Sequence, residues 1–191
     1  MQWPSTGSNV FETILARRSV RNYQDQDIDR ETVRTLLDAA VRAPTAIHEE
    51  PWAFVIVQNR ALLHQLSEYA KPLIAKEAQR TGHAHDVFTS PDFNIFYNAG
   101  TLIVICAKPI GHFVAADCWL AAENLMLAAC AMGLGSCVIG SALTALDIPE
   151  IKNQLGIPPE FSAIAPIIVG HPRGETPVTS RREPFIVSWH E

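Results

Sequence analysis

The spacing of apolar positions changes several times along the chain, and each change marks an element. Asn9 followed by Glu12 has the form of a capping box and opens a helix through Phe11, Ile14 and Leu15. Asp29 caps a second helix with apolar positions Val33, Leu36, Leu37, Ala40 and Val41, and Pro44 stops it. Trp52 to Val57 reads as a strand, and Leu62, Leu63, Leu66, Tyr69 and Ala70 as a helix ending near Pro72. Thr101 to Ala107 is a continuous apolar run of strand length, the pattern of a strand buried on both faces. An apolar helix over 112–132 ends at Gly133, and Ser136 to Ile139 reads as a short strand. Asp147 is expected to cap a short helix with Gly156 at its C-terminal end, and Ala163 to Val169 forms the last strand. Gln79 to Asn94 is polar, lacks a period, and reads as a candidate lid. The tail, about 171–191, is rich in proline and charge yet finishes in Phe185-Ile186-Val187 and Trp189. An apolar end after a polar stretch implies docking onto something such as a partner subunit. These elements predict one domain over 1–191, a sandwich of helices about a central sheet.

Length and charge narrow the function classes. A chain of 191 residues supports one domain burying roughly 70% of its unfolded surface. A net charge of −5 argues against nonspecific binding to nucleic acid or anionic membrane, both of which need clustered lysine and arginine. The 113–132 segment raises a transmembrane question, but Asp117, Glu123 and Asn124 are costly at bilayer depth. A helix buried in a core or dimer interface is expected instead. No basic and apolar leader opens the sequence. The cysteines, at 106, 118, 130 and 137, form no C-x-x-C pair and read as buried free thiols of a cytoplasmic protein.

Four segments carry candidate chemistry. Arg17-Arg18-Ser19-Val20-Arg21 concentrates three guanidiniums and a hydroxyl, a donor set suited to phosphate oxygens; its plain alternative is a solvated helix end. Arg181-Arg182 in the tail supplies a second basic pair, or an exposed charged end. The loop from Ala43 through Pro44, Thr45, Ala46, Ile47, His48, Glu49 and Glu50 to Trp52 is bounded by prolines, and such a loop lets backbone N–H groups approach a planar ligand. His48 and Glu50 also form a possible acid/base pair. Gly133-Leu134-Gly135-Ser136 with Ile139-Gly140 is glycine-rich, but its spacing and its place after a helix do not match the dinucleotide fingerprint. His83, His85 and Asp86 have ligand chemistry without a supporting cluster, so no metal site is expected. Ser136 lacks the G-x-S-x-G setting of a hydrolase nucleophile.

The order of these segments resembles the nitroreductase family. Residues 17–21 are similar to its R-R-S-x-R opening, Ala43-Pro44-Thr45 through Pro51-Trp52 to its A-P-S-x-x-N-x-Q-P-W loop, Gly133–Gly140 to its G-L-G-S-x-x-I-G segment, and Arg182 with Pro184 to its closing R-x-P. The resemblance spans about Val10 to Trp189. It implies an α+β fold, a three-layer α/β/α sandwich, in an intertwined homodimer with FMN in each of two interface clefts. By position, Arg17, Ser19 and Arg182 would hold the FMN phosphate, with Arg18 nearby, and Arg21 would approach the pyrimidine side of the ring. Pro44, Thr45, Ala46, Ile47 and His48 would come from the partner subunit, and Val138, Ile139 and Gly140 would line the opposite side.

The implied activity is NAD(P)H oxidation coupled to reduction of a nitroaromatic, quinone or similar small electrophile, NADH or NADPH and the acceptor binding in turn. The flavin carries that chemistry, so no protein nucleophile is needed. His48 and Glu50 stand where the family commonly has Asn and Gln. The H-x-E-P-W form is similar to the dehalogenating, iodotyrosine deiodinase-like branch, but 79–94 shows no equivalent of that branch's substrate lid. Specialised flavin chemistry (reductive dehalogenation or oxygen-dependent flavin fragmentation) and non-catalytic FMN storage stay open at this point.

Overall fold

The computed structural model describes residues 9–81, 90 and 92–191. The run expected to be buried on both faces, β2 (Thr101–Ala107), is buried at every position and is a central strand. It pairs antiparallel with β1 (Trp52–Val57) on one side and with β4 (Ser162–Gly170) on the other. β3 (Gly135–Val138) pairs antiparallel with β4, giving the order β1-β2-β4-β3. Successive side chains of a strand point to opposite faces. Leu102, Val104 and Cys106 therefore enter one core with Leu63, Leu66, Ala70 and Ile74 of α3 (Arg60–Thr81). Leu146 of α5 (Leu143–Leu146) and Ile151 of α6 (Pro149–Leu155) complete that side. Ile103, Ile105 and Ala107 enter a second core with Val33, Leu36 and Ala40 of α2 (Arg30–Ala40). Cys118, Ala121, Leu125 and Ala129 of α4 (Val114–Ala131) close it. The result is the expected α+β sandwich of three layers, with the sheet between two helical layers.

α4 is the helix whose composition raised the membrane question, and it is long and apolar enough to cross a bilayer. Here it packs on α2 and the sheet. Its alanines let the backbone approach the strands closely. Phe113 at its N-cap and Trp119 and Leu120 on its outer side stay exposed.

The local signals acted as expected at several ends. Asn9 and Glu12 form a complete capping box on α1 (Val10–Ala16), Asp29 accepts a hydrogen bond from the Thr32 amide, and Gly156 ends α6 with φ +71°. Two ends differ. α3 runs through Pro72 to Thr81, because Leu66, Ala70 and Ile74 continue one buried stripe across it, and that burial outweighs the hydrogen bond the proline removes. Asp147 does not cap α6: its carboxylate accepts the Ala163 amide at 2.8 Å, fastening the start of β4, and Ile148 is the N-cap. Of the candidate lid, 79–81 belong to α3, while 82–89 and 91 lie outside the described residues, as do His83, His85 and Asp86.

Candidate functional site

The chain leaves α1 at Arg17 and continues as an extended strap along the sheet edge. Ser19 bridges Ser136 of β3 in parallel sense, and the Val20 amide donates to the Ser136 carbonyl at 3.0 Å. Tyr23 bridges Pro172, the Gln24 amide donates to His171, and the Arg173 amide donates back to Asn22. The strap thus lies between β3 and the turn that follows β4. Glycine makes this possible: a Cβ on Gly135 would stand 2.8 Å from Val20 side-chain atoms, and one on Gly170 3.0 Å from the Tyr23 ring. The buried Tyr23 hydroxyl donates to the Val20 carbonyl at 2.8 Å, and burial raises its ionisation well above the ordinary tyrosine value. Burial also pushes the Cys137 thiol up, against the lowering pull of Arg21.

This anchoring sets three guanidiniums. Arg17 Nε lies 3.3 Å from Glu123 on α4, and Arg18 Nη1 donates to the Leu15 and Arg17 carbonyls. Arg21 sits 5.9 Å from the centre of the Tyr97 ring, a cation–π distance. Arg17 and Arg18 line a pocket of about 230 Å³ together with Cys130, Ser136, Gly174 and Thr176. A larger pocket, about 460 Å³, begins where the strap continues through Asn22 and Gln24 and includes Arg60, Tyr97 and Arg173.

The second segment is the loop after α2. Thr45 is extended, Ala46–His48 form one 3₁₀ turn, and Ile47, His48 and Glu50 have φ of +48°, +58° and +45°. Left-handed backbone is unusual for any non-glycine and a marked outlier for a β-branched residue such as Ile47. The Ala46 amide points at both carboxylate oxygens of Asp117, each at 3.3 Å. Pro44 and residues 47–50 are exposed, and Ile47 is 85% exposed. Strained backbone with an outward apolar side chain marks a segment shaped for something other than its own fold.

The third segment continues β3. Val138 ends the strand, the Ile139 amide donates to the Pro166 carbonyl at 2.9 Å, and Gly140 opens a 3₁₀ turn. The strap at Ser136 and this turn are therefore held on one short strand.

The structure brings Arg17, Arg18, Ser19, Arg21 and the 138–140 turn to one edge of the sheet. It does not bring the loop to them within a single chain, but it does bring the start of the tail, which the sequence sent to a partner: Pro172, Gly174 and Thr176 line the pocket with Arg17 and Arg18, held there by the bridge and hydrogen bonds of 171–173 to the strap. Among the described residues no hydrogen bond or ion pair joins strap and loop; each is fastened separately to α4, at Glu123 and Asp117. Arg182 is exposed on the tail, outside the pocket lined by Arg17 and Arg18. Sequence reasoning missed Asp117 and Glu123, which read only as polar interruptions of an apolar helix, and missed the Val20–Gly135 approach, though the glycine was visible.

The sequence profile described as the Nitroreductase family matches residues 14–171. A protein of Methanothermobacter thermautotrophicus, provisionally named NADH dehydrogenase/NAD(P)H nitroreductase, is 30% identical over 175 residues, covering 90% of this chain and 81% of that protein. The 5,6-dimethylbenzimidazole synthase of Rhodospirillum rubrum is 29% identical over 188 residues, covering 92% and 87%. A crystallised nitroreductase with bound FMN from Bacteroides fragilis has 29% identity and a TM-score of 0.85, covering 96% of this chain and 100% of that one.

Proposed function

The chain belongs to the nitroreductase family, and from that premise we propose that it binds FMN and transfers reducing equivalents from NAD(P)H to a nitroaromatic, quinone or similar electrophilic acceptor by a ping-pong mechanism. One observation carries this reading: the strap docked on β3 sets Arg17 and Arg18 at a pocket shared with Ser136 and the turn at Gly174. Guanidinium forks and nearby hydroxyls fit a phosphate, so these residues suit the cofactor's phosphate end, with Arg182 of the tail completing the clamp. Val138, Ile139 and Gly140 would lie along the ring. Arg21 would hold positive charge near its pyrimidine edge. When bound, FMN supplies the hydride chemistry, and the protein supplies position and charge. Positive charge at that edge favours the reduced cofactor, so Arg21→Ala should lower the flavin midpoint potential, read by anaerobic dye equilibration. An unshifted potential would remove Arg21 from the ring.

The remaining parts come from a second copy. Val10, Phe11, Ile14 and Leu15 on α1, Phe113, Trp119 and Leu120 by α4, and Phe185, Val187 and Trp189 on the tail are exposed apolar side chains, more than a monomer ordinarily shows. β1 is an edge strand of the sheet, and a β-prone tail is suited to cover such an edge. A homodimer would bury these surfaces, bring Pro44, Thr45, Ala46, Ile47 and His48 to the partner's cofactor, and dock the tail beyond Thr176 on the partner, 171–176 staying on their own strap and pocket. Each chain would remain one domain over 1–191. Four free cysteines suit a reducing cytoplasm.

The test is an anaerobic stopped-flow trace of FMN-loaded protein mixed with NADH and, separately, with NADPH. Rapid bleaching of the flavin absorbance with one or both is the expected result. No bleaching from stoichiometrically loaded protein would sink the NAD(P)H reductase reading. That outcome would favour specialised flavin chemistry, for which His48 and Glu50, replacing the usual Asn and Gln in a loop of left-handed backbone, are the specific observation.

A further inference from the structure

We propose that Asp117 is a positioning residue: its buried carboxylate latches the Pro44–Pro51 segment so that Thr45–His48 keep the backbone shape they present to the flavin of the other subunit. This rests on the reading above that the segment faces a flavin. Asp117 is 3% exposed, in the first turn of α4, where the helix N-terminus favours an anion. No Lys or Arg among the described residues forms an ion pair with it, so it is not half of a salt bridge. Its two oxygens share one donor, the Ala46 amide, each at 3.3 Å. A carboxylate so buried is costly unless it is used, and simple packing at this site would be met by an apolar side chain.

The segment has need of a latch. Left-handed backbone at Ile47, His48 and Glu50 persists only where the surroundings enforce it. Among the described residues, the hydrogen bond that leaves the segment between Pro44 and Pro51 for another element is Ala46 to Asp117; the Glu49 amide donates to the Ala46 carbonyl inside the turn. The accepting group is held in a buried helix rather than on another loop, which fixes the position of the tie.

The experiment compares wild type, Asp117→Ala and Asp117→Asn by three measurements. These are hydrogen exchange at the Ala46 amide in apoprotein, FMN dissociation constant by flavin fluorescence titration, and melting temperature. The expected result is faster Ala46 exchange and FMN binding weakened at least tenfold in Asp117→Ala, with Asp117→Asn, which keeps an acceptor, recovering most of both. Unchanged Ala46 exchange in Asp117→Ala would overturn the latch. Faster exchange with unchanged FMN affinity would overturn its positioning role. Equal losses in Ala and Asn variants, tracking melting temperature, would make Asp117 merely structural. If Asp117→Ala does not fold, Asp117→Leu, which fills the site without an acceptor, is tested with and without Ile47→Gly. Glycine adopts the left-handed backbone freely, so the Leu penalty on FMN affinity should shrink in that background, and an undiminished penalty would overturn the proposal. Wild-type apoprotein that fails to bind FMN would sink the flavin reading itself, while the exchange measurement still reports whether the latch exists.

Discussion

Gly135→Ala is expected to weaken FMN binding at least tenfold and to lower the melting temperature, although it adds one methyl group and touches no charge. The added Cβ would stand 2.8 Å from Cβ, Cγ1 and Cγ2 of Val20. A flexible side-chain end can swing away from such a clash, but Val20 is β-branched and buried, and its Cβ is fixed to the strap backbone. Relief therefore requires the strap to leave β3, which strains the Val20-to-Ser136 hydrogen bond next to the clash. Overpacking of this kind costs about 1–3 kcal/mol. Because the strap carries Arg17, Arg18, Ser19 and Arg21, the displacement reaches every guanidinium proposed to meet the cofactor except Arg182 of the tail. Fluorescence titration and thermal melting measure the two effects. Val20→Ala leaves the offending Cβ in place and should rescue little, whereas Val20→Gly should restore part of the affinity. Gly140→Ala is the control for stability, since a Cβ there meets nothing within 4 Å. If Gly135→Ala bound FMN and melted as wild type does, the close approach would not govern the site.

That glycine also shows what one sequence conveys. The G-L-G-S run was visible, but the reason for its second glycine lies in a valine more than a hundred residues earlier, and no local pattern records a pair so far apart. What was legible depends on near neighbours. The continuous run 101–107 announced a strand buried on both faces, and the Asn9–Glu12 and Asp29 caps announced helix starts, because each is decided within a turn or two. Pro72 misled for the converse reason: its local penalty was overridden by the stripe Leu66, Ala70, Ile74 packing on a sheet the sequence does not show. Asp147 misled because a carboxylate before a helix reads as a cap, whereas here it accepts the Ala163 amide of β4. Asp117 spoke correctly against a bilayer span, but its bond to the Ala46 amide, 71 residues earlier, has no local sign. The exposed apolar face of α1 is the complementary case: its periodicity was plain, yet among the described residues Val10, Phe11, Ile14 and Leu15 stay exposed.

Arg17→Ala and Arg182→Ala should each weaken FMN binding by about 1.5–3 kcal/mol, roughly 10- to 150-fold, the worth of a hydrogen bond to a charged group. The two positions differ in a way that makes the pair informative. Arg17 is already placed, its Nε 3.3 Å from Glu123 and the strap behind it fixed to β3. Arg182 is exposed on a tail and must be ordered when the clamp closes, so part of its interaction is spent on lost conformational freedom. Removing Arg17 also leaves Glu123 without its partner beside the pocket, where a bare carboxylate repels a phosphate. Arg17→Ala should therefore cost more than Arg182→Ala, and adding Glu123→Gln should return part of the loss. Melting temperatures of the apoproteins should hardly change, because a partly exposed ion pair contributes little to stability. Adding salt should narrow the gap between variants and wild type, as it screens the charge they removed. Unchanged FMN affinity in both single variants would sink the phosphate assignment. A loss in Arg17→Ala alone would confine the clamp to the strap and leave the tail to dimerisation.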